Sequence, residues 1–100
     1  MRCLTDELVT KAEIQTENGE IWVLDYFLQT TEGENGEEFY GLRIDKSTPD
    51  GELCEREETP ALTNSRDNAL ALLNAFARGT VPPVTLLEMT DEWLGEILPA

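Results

Sequence analysis

Carboxylates dominate the side chains that could do chemistry in this 100-residue chain: 21 Asp and Glu stand against 7 Lys and Arg, and there is no His. The commonest general base near neutral pH is therefore missing. Ser–His and Cys–His nucleophilic pairs cannot be built within one chain. A glycosidase-like pair of carboxylates is open by residue type, but acids this abundant single out no pair. Asp25 is the one acid inside a strongly apolar run, "IWVLDYFL" (21–28). It reads either as a carboxylate with a tuned pKa or as one partner in a row of ion pairs. The second reading is preferred, since structural ion pairs also perturb carboxylates. The acidic stretch "TTEGENGEEF" (30–39) invites a calcium loop. Started at Thr31, it puts Gly36 at the sixth position but Gly33 and Leu42 at ligand positions, so the match fails. It reads instead as a solvated loop extended by like charge. Cys3 and Cys54 have no metal-binding spacing. Glu52, Glu55, Glu57 and Glu58 around Cys54 disfavour its thiolate. No phosphate-binding, dinucleotide-binding or nucleophile-elbow motif occurs. The expectation is a non-enzymatic protein without cofactor or metal, an enzyme working through carboxylates being the remotest alternative.

The net charge of −14 bears on partners. Residues 1–60 carry −11 of it and residues 61–100 carry −3. Binding to nucleic-acid phosphates draws on clustered Lys and Arg, so direct binding to DNA or RNA is disfavoured, as is an anionic membrane surface. "MRCLTDELV" has no apolar stretch before Asp6 and Glu7, so no secretory signal is expected. The longest uncharged run, "NALALLNAFA" (68–77), is half the length of a membrane span. A soluble cytoplasmic protein is expected, with both cysteines as thiols; a Cys3–Cys54 disulfide has no support. The acidity also has a sharper reading, an acidic mimic of nucleic acid of the kind phages use against host nucleases, set against plain solubility charge.

Turn signals at Asn18-Gly19, Asn35-Gly36 and Pro49-Asp50-Gly51 divide the first 60 residues into segments rich in β-branched and aromatic residues. They predict strands over 7–16, 20–30, 37–46 and 52–58. A three-residue Glu17-Asn18-Gly19 loop sets Leu8 against Leu28, Thr10 against Tyr26, Ala12 against Leu24 and Ile14 against Trp22, gathering one apolar face. Matching apolar rows then sets Leu28 against Tyr40, Tyr26 against Leu42 and Leu24 against Ile44. A charged row Lys11–Asp25–Arg43 falls on the reverse face. The fourth strand pairs Arg43 with Glu57 and, poorly, Ile44 with Arg56; its charges suit a protected edge. After Pro60 the period lengthens. Ser65 or a neighbour as cap and Gly79 as C′ bound a helix over 65–78, and Thr85-x-x-Glu88 opens a second over 86–97. The fold class is α+β: one domain over residues 1–100, an antiparallel β-meander of three to four strands followed by two C-terminal helices packed on one face. Trp22, Leu24, Tyr26, Leu28, Leu42, Ile44, Leu72, Phe76, Leu86 and Trp93 are the expected core.

Tyr40-Gly41-Leu42-Arg43-Ile44, Ser65-Arg66 and Thr80-Val81-Pro82-Pro83-Val84 occur here in that order. In this the chain resembles a small uncharacterised family of about this length from clostridial-type Gram-positive bacteria. The resemblance implies a strand, a helix start and a connection into a C-terminal helix, and no activity. Function then rests on the sheet face turned away from the helices, where Val9, Val23, Phe27 and Phe39 are the candidate partner-binding residues. The expectation is a protein-binding or regulatory module, homodimeric through that face or bound to a different protein.

Overall fold

A computed structural model of the protein describes residues 2–86 and 88, residues 2–4 by their backbone alone. Its elements are β1 (Arg2–Gln15), β2 (Ile21–Glu32), β3 (Glu38–Ser47), β4 (Leu53–Glu58), α1 (Arg66–Arg78) and a 3-10 turn at Pro83–Thr85. The strands form one antiparallel sheet in the order β1-β2-β3-β4, which makes the protein α+β. The expected second helix is not borne out. One α-helix exists among the described residues, and the segment leading into 86–97 is the single 3-10 turn. Pro83 opens that turn, a place where its missing N–H would have no intrahelical partner in any case. Residue 87 and residues 89–100, with Trp93 among them, lie outside the described residues.

All three hairpins close in the same way. The N–H of Thr16 bonds the carbonyl of Glu20, that of Gly33 the carbonyl of Glu37, and that of Thr48 the carbonyl of Glu52; in each, a second bond crosses the three-residue loop. This is a type I turn ended by a residue in the left-handed region. At Gly36 that residue has φ +82°, which a side chain disfavours. The turn therefore places Gly33 opposite Glu37, and β2 and β3 pair two residues away from the expected register. Leu28 faces Leu42, Tyr26 faces Ile44, Asp25 faces Asp45 and Phe27 faces Arg43. A shift of two keeps every side chain on its expected face but replaces Arg43 by Asp45 opposite Asp25.

The first hairpin keeps the expected register over residues 10–15, with Lys11 opposite Asp25 and Ile14 opposite Trp22. A bulge at Val9 then sets Leu8 against Phe27 rather than Leu28. The extra residue turns Leu8 outward, 44% exposed, and packs Val9 against the core. Val9 is thus not on the face away from the helix, where it was expected. β1 also begins five residues earlier than expected, because β2 runs on through Thr31 and Glu32 and gives Arg2–Asp6 a partner. A further irregularity, at Cys54, moves Arg56 from Ile44 to a place opposite Asp45, and Glu57 takes its place opposite Ile44.

The inner face carries the core. Leu24, Tyr26, Leu28, Leu42 and Ile44 pack against Ala69, Leu72, Leu73 and Phe76 of α1, with Val81 and Leu86 closing the cluster. Trp22 is not part of it. The register places Lys46 opposite Leu24, so the apolar row ends there, and Trp22 is half-buried with the Lys46 Nζ 4.6 Å above its ring. Ser65 caps α1, its Oγ accepting from the Asn68 N–H at 3.2 Å. Gly79 is the C-cap with φ −88°, and Thr80 takes the left-handed C′ position at φ +48°. Thr80 N–H bonds Ala77 O and Val81 N–H bonds Phe76 O, the Schellman pattern. That turn aims the Val81 carbonyl at the buried Tyr26 hydroxyl, which donates to it at 3.0 Å.

Beyond β4 the chain continues along β3 in the same antiparallel sense. Leu42 N–H donates to Thr59 Oγ1 at 2.9 Å, and Tyr40 N–H to Thr63 O at 2.8 Å. Between these anchors the strap passes over Gly41 on the outer face. A Cβ at Gly41 would lie 2.8 Å from the Pro60 carbonyl and 3.1 Å from Thr59 Oγ1.

Gly41→Ala should therefore push the strap off β3 and destabilise the fold by about 1–3 kcal/mol, read as a lowered urea midpoint; an unchanged midpoint would show that the strap yields freely. Burial holds the Tyr26 hydroxyl at about 12, above its ordinary 10. The folded state keeps this proton more tightly, so the stabilisation is complete below pH 10 and is lost as pH rises towards 12. Alkaline titration of the native protein should show this loss, and Tyr26→Phe should remove it from the pH profile.

Candidate functional site

The outer face of the sheet collects three of the four residues that the sequence marked for partner binding, and it is organised by a carboxylate that the sequence did not mark. The row across all four strands is Lys11, Asp25, Asp45 and Arg56. Two carboxylates face each other at its centre, an arrangement that repels unless cations flank it. Lys11 flanks one side, its Nζ 3.4 Å from Asp25 Oδ1. On the other side Arg56 grips Asp45 with two bonds, Nε to Oδ1 at 2.9 Å and a terminal nitrogen to Oδ2 at 3.1 Å. Such bidentate pairs are the stronger kind. The hydrogen bonds to Asp45, and then its negative charge, push the Arg56 pKa up.

Arg43 occupies the next row and ties the two together. Its guanidinium lies 3.9 Å from the centroid of the Phe27 ring, a cation–π contact. It bonds Asp6 on β1 and, at 3.4 Å, Asp45 on its own strand. The Arg43 side chain is 12% exposed and that of Asp45 is 9% exposed. The Arg43 Nε is 3.3 Å from Asp45 Oδ1, near enough for attraction without the angle of a hydrogen bond. The chain Asp6–Arg43–Asp45–Arg56 thus links β1 to β4 over the sheet surface. Asp25 is the more peripheral acid: its partner Lys11 is 61% exposed, and such pairs contribute little.

Of the four candidate partner-binding residues, Val23, Phe27 and Phe39 share the outer face, each half-buried, while Val9 belongs to the core side. Phe27 is roofed by Arg43. Phe39 lies over the second turn, where a Cβ on Gly33 would come within 2.9 Å of its ring. Ile21 and Leu8, both 44% exposed, add to the apolar surface. The bulge at Val9 brings Leu8 there, and no sequence pattern signals it. Asp45 had one signal, the three-residue turn at Glu34-Asn35-Gly36, which sets its row.

The chemistry of this face is charge pairing and apolar contact. Among the described residues, no group of three or more Cys, Asp or Glu side chains is arranged to hold a metal ion, and no helix is long and apolar enough to cross a membrane. Cys54 is an exposed free thiol. The backbone of Cys3, opposite Thr31 on β2, sits at the other edge and the other end of the sheet from Cys54. Strands spaced about 4.8 Å apart keep the two beyond the reach of a disulfide.

Asp45→Ala should cost about 2–4 kcal/mol, because it leaves Arg43 desolvated with half its partners gone. Asp25→Asn should cost less than about 1 kcal/mol. Urea denaturation of both variants checks the order; an equal cost would mean that Asp45 is no hub.

No curated protein and no solved structure matches the chain. Residues 5–96 match the model of a family of unknown function, DUF6514. The match spans the strands, the strap and α1, so the chain belongs to that family.

Proposed function

We propose that this protein is a non-enzymatic binding module of the cytoplasm, docking through the outer face of its sheet with a second copy of itself as the first partner. The observation that carries the reading is the charge balance of that face. Lys11, Arg43 and Arg56, three of the seven cations in a chain of net charge −14, lie there. Each is paired with a carboxylate. Elsewhere two copies meet as strongly acidic surfaces that repel. Here Ile21, Leu8, Val23 and Phe39 can make contact around these ion pairs, with Glu13 opposite Val23 and Glu58 opposite Arg43 adding two further carboxylates. A partly apolar patch less acidic than the rest of the molecule is where association costs least.

The alternative is an acidic mimic of nucleic acid that occludes a basic groove. It draws on the exposed edge strand β4, where Glu55 and Glu58 face solvent beside the half-buried Glu57. Its binding to basic proteins would weaken steeply with salt, whereas contact through the paired outer face would respond weakly.

Sedimentation equilibrium at several concentrations tests the first reading. A monomer–dimer equilibrium is expected. Val23→Glu should weaken it at least about tenfold, or 1.4 kcal/mol. A clean monomer at every concentration would overturn it.

A further inference from the structure

The turns at 17–19 and 49–51 lie at the same end of the sheet, and between them is a cleft of about 470 Å³ lined by Gly19, Glu20, Ile21, Trp22, Thr48 and Pro49. Its size falls in the range of binding clefts. Its lining is mostly apolar, with Ile21, Trp22 and Pro49 contributing. Its two turns carry four exposed carboxylates, Glu17, Glu20, Asp50 and Glu52. The nearby cation, Lys46, is engaged by the Trp22 ring at 4.6 Å and by Glu55 at 3.7 Å. The Trp22 ring thus already takes a cation from its own chain.

We propose that this cleft binds a basic segment of a partner protein, seating one aliphatic side chain on Trp22 and Ile21 and holding flanking Arg or Lys against the carboxylates of the two turns. Three features select that occupant. A half-buried indole and an exposed isoleucine give an anchor residue a place to lose water. The carboxylates select cations and repel the acidic surface of a second copy of this chain. The turns are held rigidly by their hydrogen bonds, so little order is lost on binding. The cleft lies at the sheet's end and shares only Ile21 with the outer face; Trp22 and the four carboxylates are not part of that face's proposed contact, so the proposal stands whether or not that face dimerises.

The test uses the full chain and a fluorescein-labelled peptide, Arg-Gly-Leu-Gly-Arg-Gly-Leu-Arg, followed by anisotropy. Two further peptides replace every Arg by Glu or every Leu by Ser. The Arg–Leu peptide is expected to bind, the Glu peptide not at all, and the Ser peptide at least about tenfold more weakly. Net charge alone is separated from a local site by two double variants of equal charge change. Glu20→Lys with Asp50→Lys alters the cleft, and Glu34→Lys with Glu37→Lys alters the turn at the opposite end. The first should weaken binding about tenfold or more and the second less than about threefold, with circular dichroism checking that both stay folded. Equal losses in the two variants, equal binding of the Ser peptide, or no binding of the Arg–Leu peptide would each overturn the proposal. A monomer in sedimentation, by contrast, would bear only on the outer face.

Discussion

A slip of two residues between β2 and β3 would exchange Arg43 and Asp45 in the position opposite Asp25, and the turn at 33–37 forbids it. The bond from Gly33 to Glu37, with Gly36 at φ +82°, leaves one register for the central strand pair. Everything on the outer face follows. Asp45 meets Arg56, Arg43 lies over Phe27, and Asp6 reaches Arg43 from β1. On the inner face the same register brings Leu28 to Leu42 and Tyr26 to Ile44. It also ends the apolar row at Leu24, so Trp22 is left half-buried at the rim. Turn chemistry, a local effect, thereby decides both the packing and the exposed chemistry.

The two faces are stabilised by different physics. Beneath α1, buried leucines, Tyr26 and Phe76 supply hydrophobic burial, and the Tyr26 hydroxyl placed deep there has its acceptor in Val81 O. Above, charged groups are desolvated together. A guanidinium that is 12% exposed on an aromatic ring is tolerable only because two carboxylates flank it. Such a network is directional where hydrophobic contact is not. It ties the edge strands β1 and β4 to the centre, which limits fraying of a sheet only one helix thick. It also leaves a surface much closer to neutral than the net charge of −14 implies, Glu13 and Glu58 being its further acids, and that contrast gives the outer face its proposed use.

Much of the fold was legible in the residues. The alternation through "IWVLDYFLQ" assigns Leu24, Tyr26 and Leu28 to one face and Val23, Asp25 and Phe27 to the other, and the structure keeps that assignment. Glu17-Asn18-Gly19 sets the register over residues 10–15. The second register was legible too, since Glu34-Asn35-Gly36 makes the same turn. Matching apolar rows misses it because a pattern of period two is unchanged by a shift of two. Less could be read at the site. Val9 and Cys54 sit at irregularities whose position depends on what the neighbouring strand offers, and each changes which side chain faces where. Asp45, between Ile44 and Lys46, looks like the solvated end of a strand until Arg56 is brought opposite it.

The sequence by itself determined the class of protein. Its turn residues, its alternation up to residue 58 and the Ser65 cap dictate a meander followed by a helix, because each acts over a few neighbouring residues. Its composition removes histidine chemistry, because the chain holds no His. Only the tertiary structure decided which carboxylate is the hub, which hydrophobic residues share the outer face and where Trp22 sits. Those outcomes depend on pairing between strands far apart in the chain, and at Val9 and Cys54 one extra residue in a strand reverses the direction of the side chains that follow.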